Sequence, residues 1–291
     1  MLDRTAPTTP CTVCGRPDLS ALLEKGGQRY CQCGRCGHIA MDPLPDLGDQ
    51  EAFYKKQYAE GVYKGYMDAR PLKLRTFDRR LDAILRAVPT PGRMLDVGCA
   101  SGAFVEAARS RGLDAWGVEQ VPDAVLGAPA GVKPYLLVKN VEREELKGEY
   151  GLVTFFDVLE HMREPQAFLG RMRSLLRPAG YIALTCPDRT HFLRYLMGKR
   201  WPHFQPFQHF HLFGGSDLRT FLEQGGFTVL EQRRVGKVLT WDYLSGQLEA
   251  NNAFLSRGMR TAAKLVPTAV RNWPMEIGIG EIMAIARLRP P

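Results

Sequence analysis

Short apolar runs alternate with helical stretches along the chain from Met94 onward. Such alternation is typical of a parallel sheet whose strands are joined by crossover helices. Strands are predicted at residues 94–97, 115–118, 136–138, 152–156, 181–185, 228–232 and 282–286, and helices at residues 102–111, 166–176 and 216–224. The pattern therefore predicts an α/β fold with a doubly wound, mostly parallel sheet of seven strands.

Three segments depart from this alternation. Residues 49–88 carry apolar side chains at helical spacings, until two prolines and a glycine break the pattern before residue 93. Residues 189–215 are rich in aromatic and basic side chains, and we interpret them as an insertion that covers the substrate, with an extra packing helix as the alternative. Residues 242–273 read as a basic helix. Packing on the sheet or at a homodimer contact is favoured there over a membrane or partner surface.

The composition is that of a packed globular protein. Hydrophobic residues make up 45% and charged residues 24% of the 291 residues, which excludes wholesale disorder. The first ten residues lack the pattern of a secretory signal, and no stretch is long and apolar enough for a transmembrane segment, so a cytoplasmic location is expected. The net charge of +8 suits a polyanionic partner or a diffuse basic surface, and its even spread favours the surface.

The sharpest chemical motif follows the first of these strands. Residues 95–102 read Leu-Asp-Val-Gly-Cys-Ala-Ser-Gly, so a glycine-rich turn leads from a strand into a helix. Gly98 and Gly102 allow a sharp bend and the close approach of a ligand, and the helix start offers free N–H groups. Glu119 ends the next strand, where a carboxylate can accept both hydroxyls of a ribose. Together these features predict a nucleoside-binding site.

This loop resembles the cofactor loop of class I S-adenosylmethionine-dependent methyltransferases, which have a Rossmann-like fold. A dinucleotide-binding dehydrogenase would show Gly-x-Gly-x-x-Gly instead. Further motifs resemble the ubiquinone-biosynthesis-type O-methyltransferases in order and spacing, at residues 157–161, 164–165, 176–181, 185–188, 211–213 and 224–227. Two positions depart from the pattern. Ala100 stands where glycine is commoner, and Tyr150-Gly151 stands where the family usually has Phe-Asp.

The resemblance implies S-adenosyl-L-methionine as the cofactor. The residues that it implies for the cofactor pocket are Asp96, Gly98, Cys99, Ala100, Gly102, Glu119, Gln120, Asn140, Val141, Asp157 and Val158. Of these, Asn140 and Val141 would border the adenine, and Asp157 and Val158 would lie under the methionine moiety. The rule that ligands bind beyond the carboxyl ends of parallel strands supports these positions.

Candidate catalytic residues are histidines near the predicted pocket. Methyl transfer requires an aligned nucleophile and the exclusion of water, and a hydroxyl nucleophile also benefits from a general base. His161, beside Glu160, is interpreted as that base or as a metal ligand, with a loop-stabilising pair as the alternative. In an extended segment, His209 and His211 would point the same way and could contact the substrate or act as base. The alternative is a turn stabilised by a histidine hydrogen bond.

Five of the seven cysteines lie within residues 11–36. Two Cys-x-x-Cys motifs there have the spacing of a zinc ribbon. Four thiolates would hold a structural zinc ion, and the predicted ligands are Cys11, Cys14, Cys33 and Cys36. Cys31 and His38 are spare candidates. The predicted domains are a zinc ribbon at residues 1–45, a helical connector at 46–90 and a methyltransferase domain at 91–291.

Three functions compete on this evidence. We favour methylation of a small-molecule acceptor, at a hydroxyl above all, in secondary metabolism or in quinone or saccharide modification. An RNA base methyltransferase is the alternative, but the ribbon lacks a concentrated basic and aromatic patch, so a nucleic-acid partner is disfavoured. A non-catalytic zinc-ribbon binding protein is the third, and the retained Gly98, Gly102 and Glu119 argue against it.

Overall fold

The computed structural model describes residues 9–50, 53, 69–249, 261 and 266–290. Parts of the predicted helical segments 49–88 and 242–273 therefore lie outside the described residues. In chain order the described strands and helices are β1 (Leu19–Lys25), β2 (Gln28–Cys33), β3 (Ile39–Met41), α1 (Arg70–Ala87), β4 (Met94–Val97), α2 (Ala103–Ser110), β5 (Ala115–Glu119), α3 (Pro122–Leu126), β6 (Leu136–Val138), β7 (Tyr150–Phe156), α4 (Pro165–Ser174), β8 (Leu176–Pro187), α5 (Phe192–Met197), β9 (His211–Leu212), α6 (Gly215–Gln224), β10 (Phe227–Leu239), α7 (Trp241–Glu249), α8 (Thr268–Arg271) and β11 (Met275–Leu288).

A mixed sheet of seven strands forms the centre of the fold, in the order β10-β11-β8-β7-β4-β5-β6. The five strands from β4 to β8 pair in parallel, whereas β11 lies antiparallel between β8 and β10. The direction of the strand order reverses at β4, between β5 and β7, and ligands of such sheets bind at this switch point. The Rossmann-like, mostly parallel sheet of seven strands that was predicted from the sequence is confirmed.

Three strands are longer than the apolar pattern predicts. β8 begins at residue 176 rather than 181, β10 ends at residue 239 rather than 232, and β11 begins at residue 275 rather than 282. Arg233 and Arg234 are exposed in the middle of β10 and give no apolar signal. They remain in the strand because their backbones pair with Met283 and Ile282 of β11.

Local sequence explains where several helices begin. Prolines lie in the first turns of α1, α3 and α4, where the missing N–H has no intrahelical partner to lose. Gly102 precedes α2 in the left-handed conformation. The helices bury apolar residues of the sheet in separate clusters. Leu95 of β4 shares one cluster with Phe168 of α4, and the adjacent Met94 shares the other with Leu81 of α1. No described helix is long and apolar enough to cross a membrane.

A second, smaller sheet has the order β1-β2-β3-β9. Its first three strands come from the cysteine-rich segment, and β9 comes from the insertion at residues 189–215. Ile39 pairs with Leu212, and Ala40 pairs with His211. The ribbon and the insertion therefore form one sheet.

The aromatic side chains of the insertion form a core with the ribbon. Trp201, Phe204 and Phe210 are at most 1% exposed, and they share a cluster with Tyr30 and Met41. These three side chains pack against the ribbon, and the interpretation of the segment as a substrate cover stays a prediction. A ribbon of this size buries little apolar surface by itself, and these rings supply the missing core.

Candidate cofactor and acceptor site

A cavity of about 750 Å³ lies at the carboxyl ends of β4, β5 and β7, next to the switch point. The loops that follow these strands form most of its wall. Among the residues that the resemblance implied for the cofactor, those lining the cavity are Asp96, Gly98, Cys99, Ala100, Glu119, Gln120, Asn140, Val141, Asp157 and Val158. Gly102 is not among the lining residues and instead lies at the start of α2.

The Glu119 carboxylate anchors the glycine-rich loop. Its Oε2 accepts the N–H of Ala100 at 2.9 Å, and its Oε1 accepts the N–H of Val121 at 3.0 Å. Burial raises the pKa of this carboxyl, and the backbone donors oppose that rise. Because a carboxylate offers about four lone-pair sites, each oxygen can accept a further hydrogen bond, as two hydroxyls of a ribose require.

Three residues of the loop adopt the left-handed backbone conformation, with φ of +71° at Gly98, +47° at Ala100 and +73° at Gly102. A Cβ at position 98 would lie 2.6 Å from Cγ2 of Val158, so only glycine fits there. Ala100 carries a side chain in this conformation at a cost of about 1 kcal/mol. The backbone geometry thus explains why glycine is commoner at position 100.

Position 151, the other departure from the family pattern, also has a steric cause. A Cβ on Gly151 would lie 1.9 Å from the carbonyl oxygen of Pro91. A larger residue there requires a different path for the chain before β4. The absence of a side chain at Gly151 therefore allows the backbone at Pro91 to pack directly against β7.

Asp96 is a buried acid in the wall of the cavity, 4% exposed. Its Oδ1 accepts a hydrogen bond from Oγ1 of Thr154 at 2.7 Å. Burial raises the pKa of Asp96 to about 7. This carboxyl is therefore close to half-protonated near neutral pH.

Asp157, at the end of β7, belongs to a network of charges that no sequence motif suggested. Its Oδ1 accepts a hydrogen bond from Thr185 at 2.7 Å, and its Oδ2 lies 2.9 Å from Nζ of Lys237. Lys237 also pairs with Glu281, which pairs with Arg80 at 2.6 Å. Burial raises the pKa of Asp157, but the nearby cations outweigh that effect and hold the pKa below its usual range. Two acids and two bases thus balance one another.

Lys73 of α1 also lines the cavity. Burial, together with the charges of Lys237 and Arg70, lowers the pKa of Lys73 to about 6. Its amine is therefore mostly uncharged at neutral pH. It adds little repulsion towards a cationic ligand such as a sulfonium.

Glu160, His161 and His209 come together at the edge of the cavity (the histidine cluster). Their carboxylate and imidazole donor atoms lie within 4.8 Å of one another. Nδ1 of His161 lies 2.8 Å from the carbonyl oxygen of Gln208, and Nδ1 of His209 lies 2.9 Å from that of His203. Because a carbonyl oxygen only accepts, each Nδ1 carries the proton and each Nε2 keeps a lone pair. Of the cluster, only His161 lines the cavity.

Glu160 is 1% exposed. Its Oε2 accepts no hydrogen bond from any described part of the chain. Burial raises the pKa of this carboxyl well above its usual value, and the charge of Asp157 adds to the rise. A buried oxygen without a partner is costly unless a proton or a cation reaches it.

Backbone hydrogen bonds connect the ribbon to this cluster. The N–H of Met41 donates to the carbonyl oxygen of Phe210 at 2.8 Å, and the N–H of Phe210 donates to the carbonyl oxygen of Glu160 at 2.7 Å. The edge of the ribbon sheet is therefore one residue away from the loop that carries Glu160 and His161.

Comparison with known proteins agrees with this geometry. A profile of a family described as a methyltransferase domain matches residues 67–232, which is more than half of the chain. The matched segment contains the glycine-rich loop, Glu119 and the histidine cluster. The chain belongs to this methyltransferase family.

One relative of known sequence shows how far the similarity extends. This chain is 30% identical over 139 residues to the ubiquinone biosynthesis O-methyltransferase of Xanthomonas axonopodis pv. citri (strain 306), and the match covers 45% of this chain and 56% of that protein. The chain thus spans about half the length of the curated relatives it matches.

Two crystal structures share the fold. The 1,6-didemethyltoxoflavin-N1-methyltransferase of Burkholderia thailandensis, with bound S-adenosylhomocysteine, has a TM-score of 0.54 at 15% identity and covers 93% of this chain and 99% of its own. The magnesium protoporphyrin IX methyltransferase of Synechocystis PCC 6803, with bound SAH, has a TM-score of 0.52 at 16% identity and covers 82% and 99%. Family and fold together identify the chain as a member of the class I S-adenosylmethionine-dependent methyltransferases.

The cysteine-rich segment of the methyltransferase brings four thiols together. The Sγ atoms of Cys11 and Cys36 lie 3.5 Å apart and those of Cys14 and Cys33 lie 3.6 Å apart, and all four lie within 4.8 Å of one another. A tetrahedral zinc ion with Zn–S bonds of about 2.3 Å needs sulfur atoms roughly 3.8 Å apart. The four thiols therefore suggest zinc, and Cys31 is outside the group.

His211 lies apart from the histidine cluster. Its Nδ1 is 3.2 Å from Nε2 of His38, whose Nδ1 is 3.5 Å from Oδ2 of Asp217. Asp217 also pairs with Arg189 at 2.8 Å. All four residues are buried. They join the ribbon to the methyltransferase domain.

The prediction that His209 and His211 point the same way is wrong. β9 begins only at His211, and His209 lies between it and a turn at residues 206–208. His209 packs against the ring of His161, whereas His211 stacks on His38. Of the two, His209 alone is close to the cavity wall.

Proposed function

We propose that the protein transfers the methyl group of S-adenosylmethionine to a hydroxyl oxygen of a small-molecule acceptor. One observation carries the proposal. His161, with a lone pair on Nε2, lines the same cavity as Glu119 and the glycine-rich loop. Burial lowers the pKa of His161, so its imidazole is neutral at physiological pH and can act on an acceptor hydroxyl.

The residues present fit the cofactor. S-adenosylmethionine supplies a methyl group that its sulfonium already activates. Glu119 keeps lone pairs for the ribose hydroxyls, and Gly98 leaves the backbone of the loop uncovered. Burial and neighbouring cations lower the pKa of Lys73 to about 6, which reduces its repulsion of a cationic cofactor. By the resemblance, Asn140 and Val141 contact the adenine.

The acceptor class rests on the histidine cluster and on the relatives, which are named as O-methyltransferases. In such a transfer the acceptor oxygen bonds to the methyl carbon. The carbon–sulfur bond breaks, and its electron pair stays on sulfur. The hydroxyl proton must also leave. We assign the loss of that proton to the histidine cluster, which borders the cavity through His161.

Calorimetric titration with S-adenosylmethionine and S-adenosylhomocysteine tests the cofactor half of the proposal. We expect both to bind zinc-replete protein, and Glu119→Ala to abolish measurable binding because the loop loses its anchor. Glu145→Ala, at an exposed acid, is the matched control and should bind normally. Failure of the intact, folded protein to bind either compound would overturn the proposal.

A screen of acceptors tests the other half. Phenols, hydroxyquinones and saccharides are offered with the cofactor, beside short RNA duplexes, and products are analysed by mass spectrometry. We expect an O-methylated small molecule, and a fall in kcat of about 10²-fold or more in His161→Ala. Methylation of RNA with no small-molecule product would contradict the acceptor class.

A further inference from the structure

We propose that Glu160, His161 and His209 bind a divalent first-row transition-metal ion, at a site separate from the four cysteines of the ribbon. The binding of the ion stands on the geometry of these residues alone. Its role in activating a hydroxyl rests on the proposed function.

The first argument is the convergence of donors. The three side chains come from the turn after β7 and from the segment before β9, yet their donor atoms lie within 4.8 Å of one another. An ion about 2.1 Å from each donor needs donors roughly 3.4 Å apart in a tetrahedral arrangement. The separations in the structure exceed that distance by at most about 1.4 Å.

The second argument is the orientation of the imidazoles. Histidines that bind metal ions almost always donate their other ring N–H to a carbonyl or carboxylate oxygen. Both histidines do so here through Nδ1, to the carbonyl oxygens of Gln208 and His203. Each Nε2 therefore keeps the lone pair that can bind a cation. One such bond is common in a folded protein, but two in adjacent rings match a pre-oriented pair of ligands.

The third argument is independent of the histidines. Oε2 of Glu160 is buried and accepts no hydrogen bond within the described ranges. Folded proteins rarely leave such an oxygen without a partner. A cation held between the carboxylate and the two Nε2 lone pairs satisfies all three groups together.

The donor set indicates the kind of ion. Two imidazoles and one carboxylate suit zinc, manganese, iron, cobalt or nickel, whereas magnesium and calcium prefer oxygen donors alone. Three protein ligands leave positions open, as in catalytic rather than structural sites. Because His161 also lines the cavity, the open positions are accessible to an acceptor. With the ion bound, Nε2 of His161 is a ligand rather than the base, so the cluster would act through the ion: the ion would lower the pKa of an acceptor hydroxyl, and the released proton would pass to water.

The test uses the full chain with zinc in the ribbon and Co²⁺ alone as the probe. We expect one further equivalent of Co²⁺ to bind, with ligand-field absorption and without the sulfur charge-transfer band that ribbon thiolates would give. Glu160→Gln and His209→Asn should each weaken this binding by at least about 100-fold. His211→Asn is the control, because it changes a buried histidine two residues away that is outside the cluster.

A thermal measurement keeps the test valid if a histidine variant folds poorly. Glu160→Gln preserves the shape of the side chain, so its metal-free melting temperature should be no lower than that of the wild type. Co²⁺ should raise the melting temperature of the wild type and not that of Glu160→Gln. No second equivalent in the wild type, or equal Co²⁺ binding by wild type and variants, would overturn the site.

The metal site and the proposed methylation of a hydroxyl can each be rejected by experiment without rejecting the other. Cobalt binding that depends on Glu160, without methylation of any hydroxyl, supports the metal site and rejects the acceptor class. Methylation of a hydroxyl by protein that binds no second ion supports the proposed function and rejects the metal site.

Discussion

Nζ of Lys237 lies 2.9 Å from Oδ2 of Asp157, although 80 residues separate the two in the chain. The contact brings a cation of β10 to an acid that ends β7 and lines the cavity. Lys237 also pairs with Glu281. Charged residues of the antiparallel strands β10 and β11 therefore stabilise the wall of the cavity.

Replacement of Lys237 by methionine should destabilise the protein. The carboxyl groups of Asp157 and Glu281 would lose this cation, and because the Lys237 side chain is 31% exposed we expect a loss of about 2 kcal/mol in the free energy of unfolding at neutral pH. The pKa of Asp157 is held low in the fold, so its stabilising contribution is present above its unfolded pKa of about 4 and is lost as the pH falls further. Urea denaturation at several pH values measures both effects.

The matched control for this variant is Arg233→Met, four residues earlier in the same strand, where the arginine is exposed and pairs with Glu231. It should cost less than about 0.5 kcal/mol. Equal stability of Lys237→Met and the wild type at neutral pH would show that the network of charges makes no net contribution to the free energy of unfolding.

Asp96→Asn should become more stable relative to the wild type as the pH rises. The folded pKa of Asp96 is about 7, above its unfolded value of about 4. Its contribution to stability is therefore fully present below about pH 4 and is lost as the pH rises through about 7. Asparagine does not ionise and can still accept the hydrogen bond of Thr154, so we expect a relative gain of roughly 2 to 4 kcal/mol between about pH 4 and pH 8.

Chemical denaturation at about pH 5 and pH 8 checks this dependence on pH. The matched control is Asp114→Asn, at an exposed acid, measured under the same two conditions. A difference between Asp96→Asn and the wild type that is constant with pH would mean that Asp96 stays ionised in the fold.

Gly98→Ala should disrupt cofactor binding more than its small size suggests. The new Cβ would lie 2.6 Å from Cγ2 of Val158 in a backbone with φ of +71°. We expect a loss of stability of about 1 to 3 kcal/mol and a fall in affinity for S-adenosylmethionine, both measured on purified protein.

A second glycine separates backbone strain from the clash. Gly112 has φ of +77° and nothing within 4 Å of a Cβ, so Gly112→Ala should show the strain alone and normal cofactor affinity. Adding Val158→Ala to Gly98→Ala should recover part of the lost stability. If Gly98→Ala behaves like Gly112→Ala, the contact with Val158 is unimportant.

We expect the four thiols to hold a zinc ion, and chelation of that ion should unfold the ribbon and expose β9 with it. The ribbon takes much of its apolar core from the insertion and has little core of its own, so we expect it to depend on the metal as well. Among the described strands, β9 pairs with β3 alone. Hydrogen exchange after chelation should therefore show faster exchange in β1 to β3 and at Leu212, while β4 and β7 remain protected. Protection of β3 that survives complete zinc removal would contradict this expectation.

The central sheet could be predicted from the sequence because its strands are buried on both faces. All seven residues of β7 are buried, so the strand appears as a continuous apolar run. The cofactor loop could be predicted for a similar reason, because the strand, the two glycines and Glu119 lie close together in the sequence. In both cases neighbouring residues in the chain determine the local structure.

The remaining features depend on contacts that no local pattern encodes. β9 has only two residues and pairs with a strand more than 170 positions earlier. Lys237 lies in a strand segment whose side-chain pattern mixes exposed and buried positions. For the histidine cluster, the sequence marked Glu160 and His161 as a pair, and only the fold distinguishes His209 from His211.

Because β3 pairs with β9, the cysteine-rich segment and the insertion at residues 189–215 depend on each other for their packing. A substitution in the ribbon that shifts Met41 acts through Phe210 on the loop of Glu160. Exchange of the ribbon between homologues should therefore succeed only when residues 201–212 travel with it. Natural variation in the two segments is expected to be correlated, because a change in either one reaches the loop of Glu160 through Phe210.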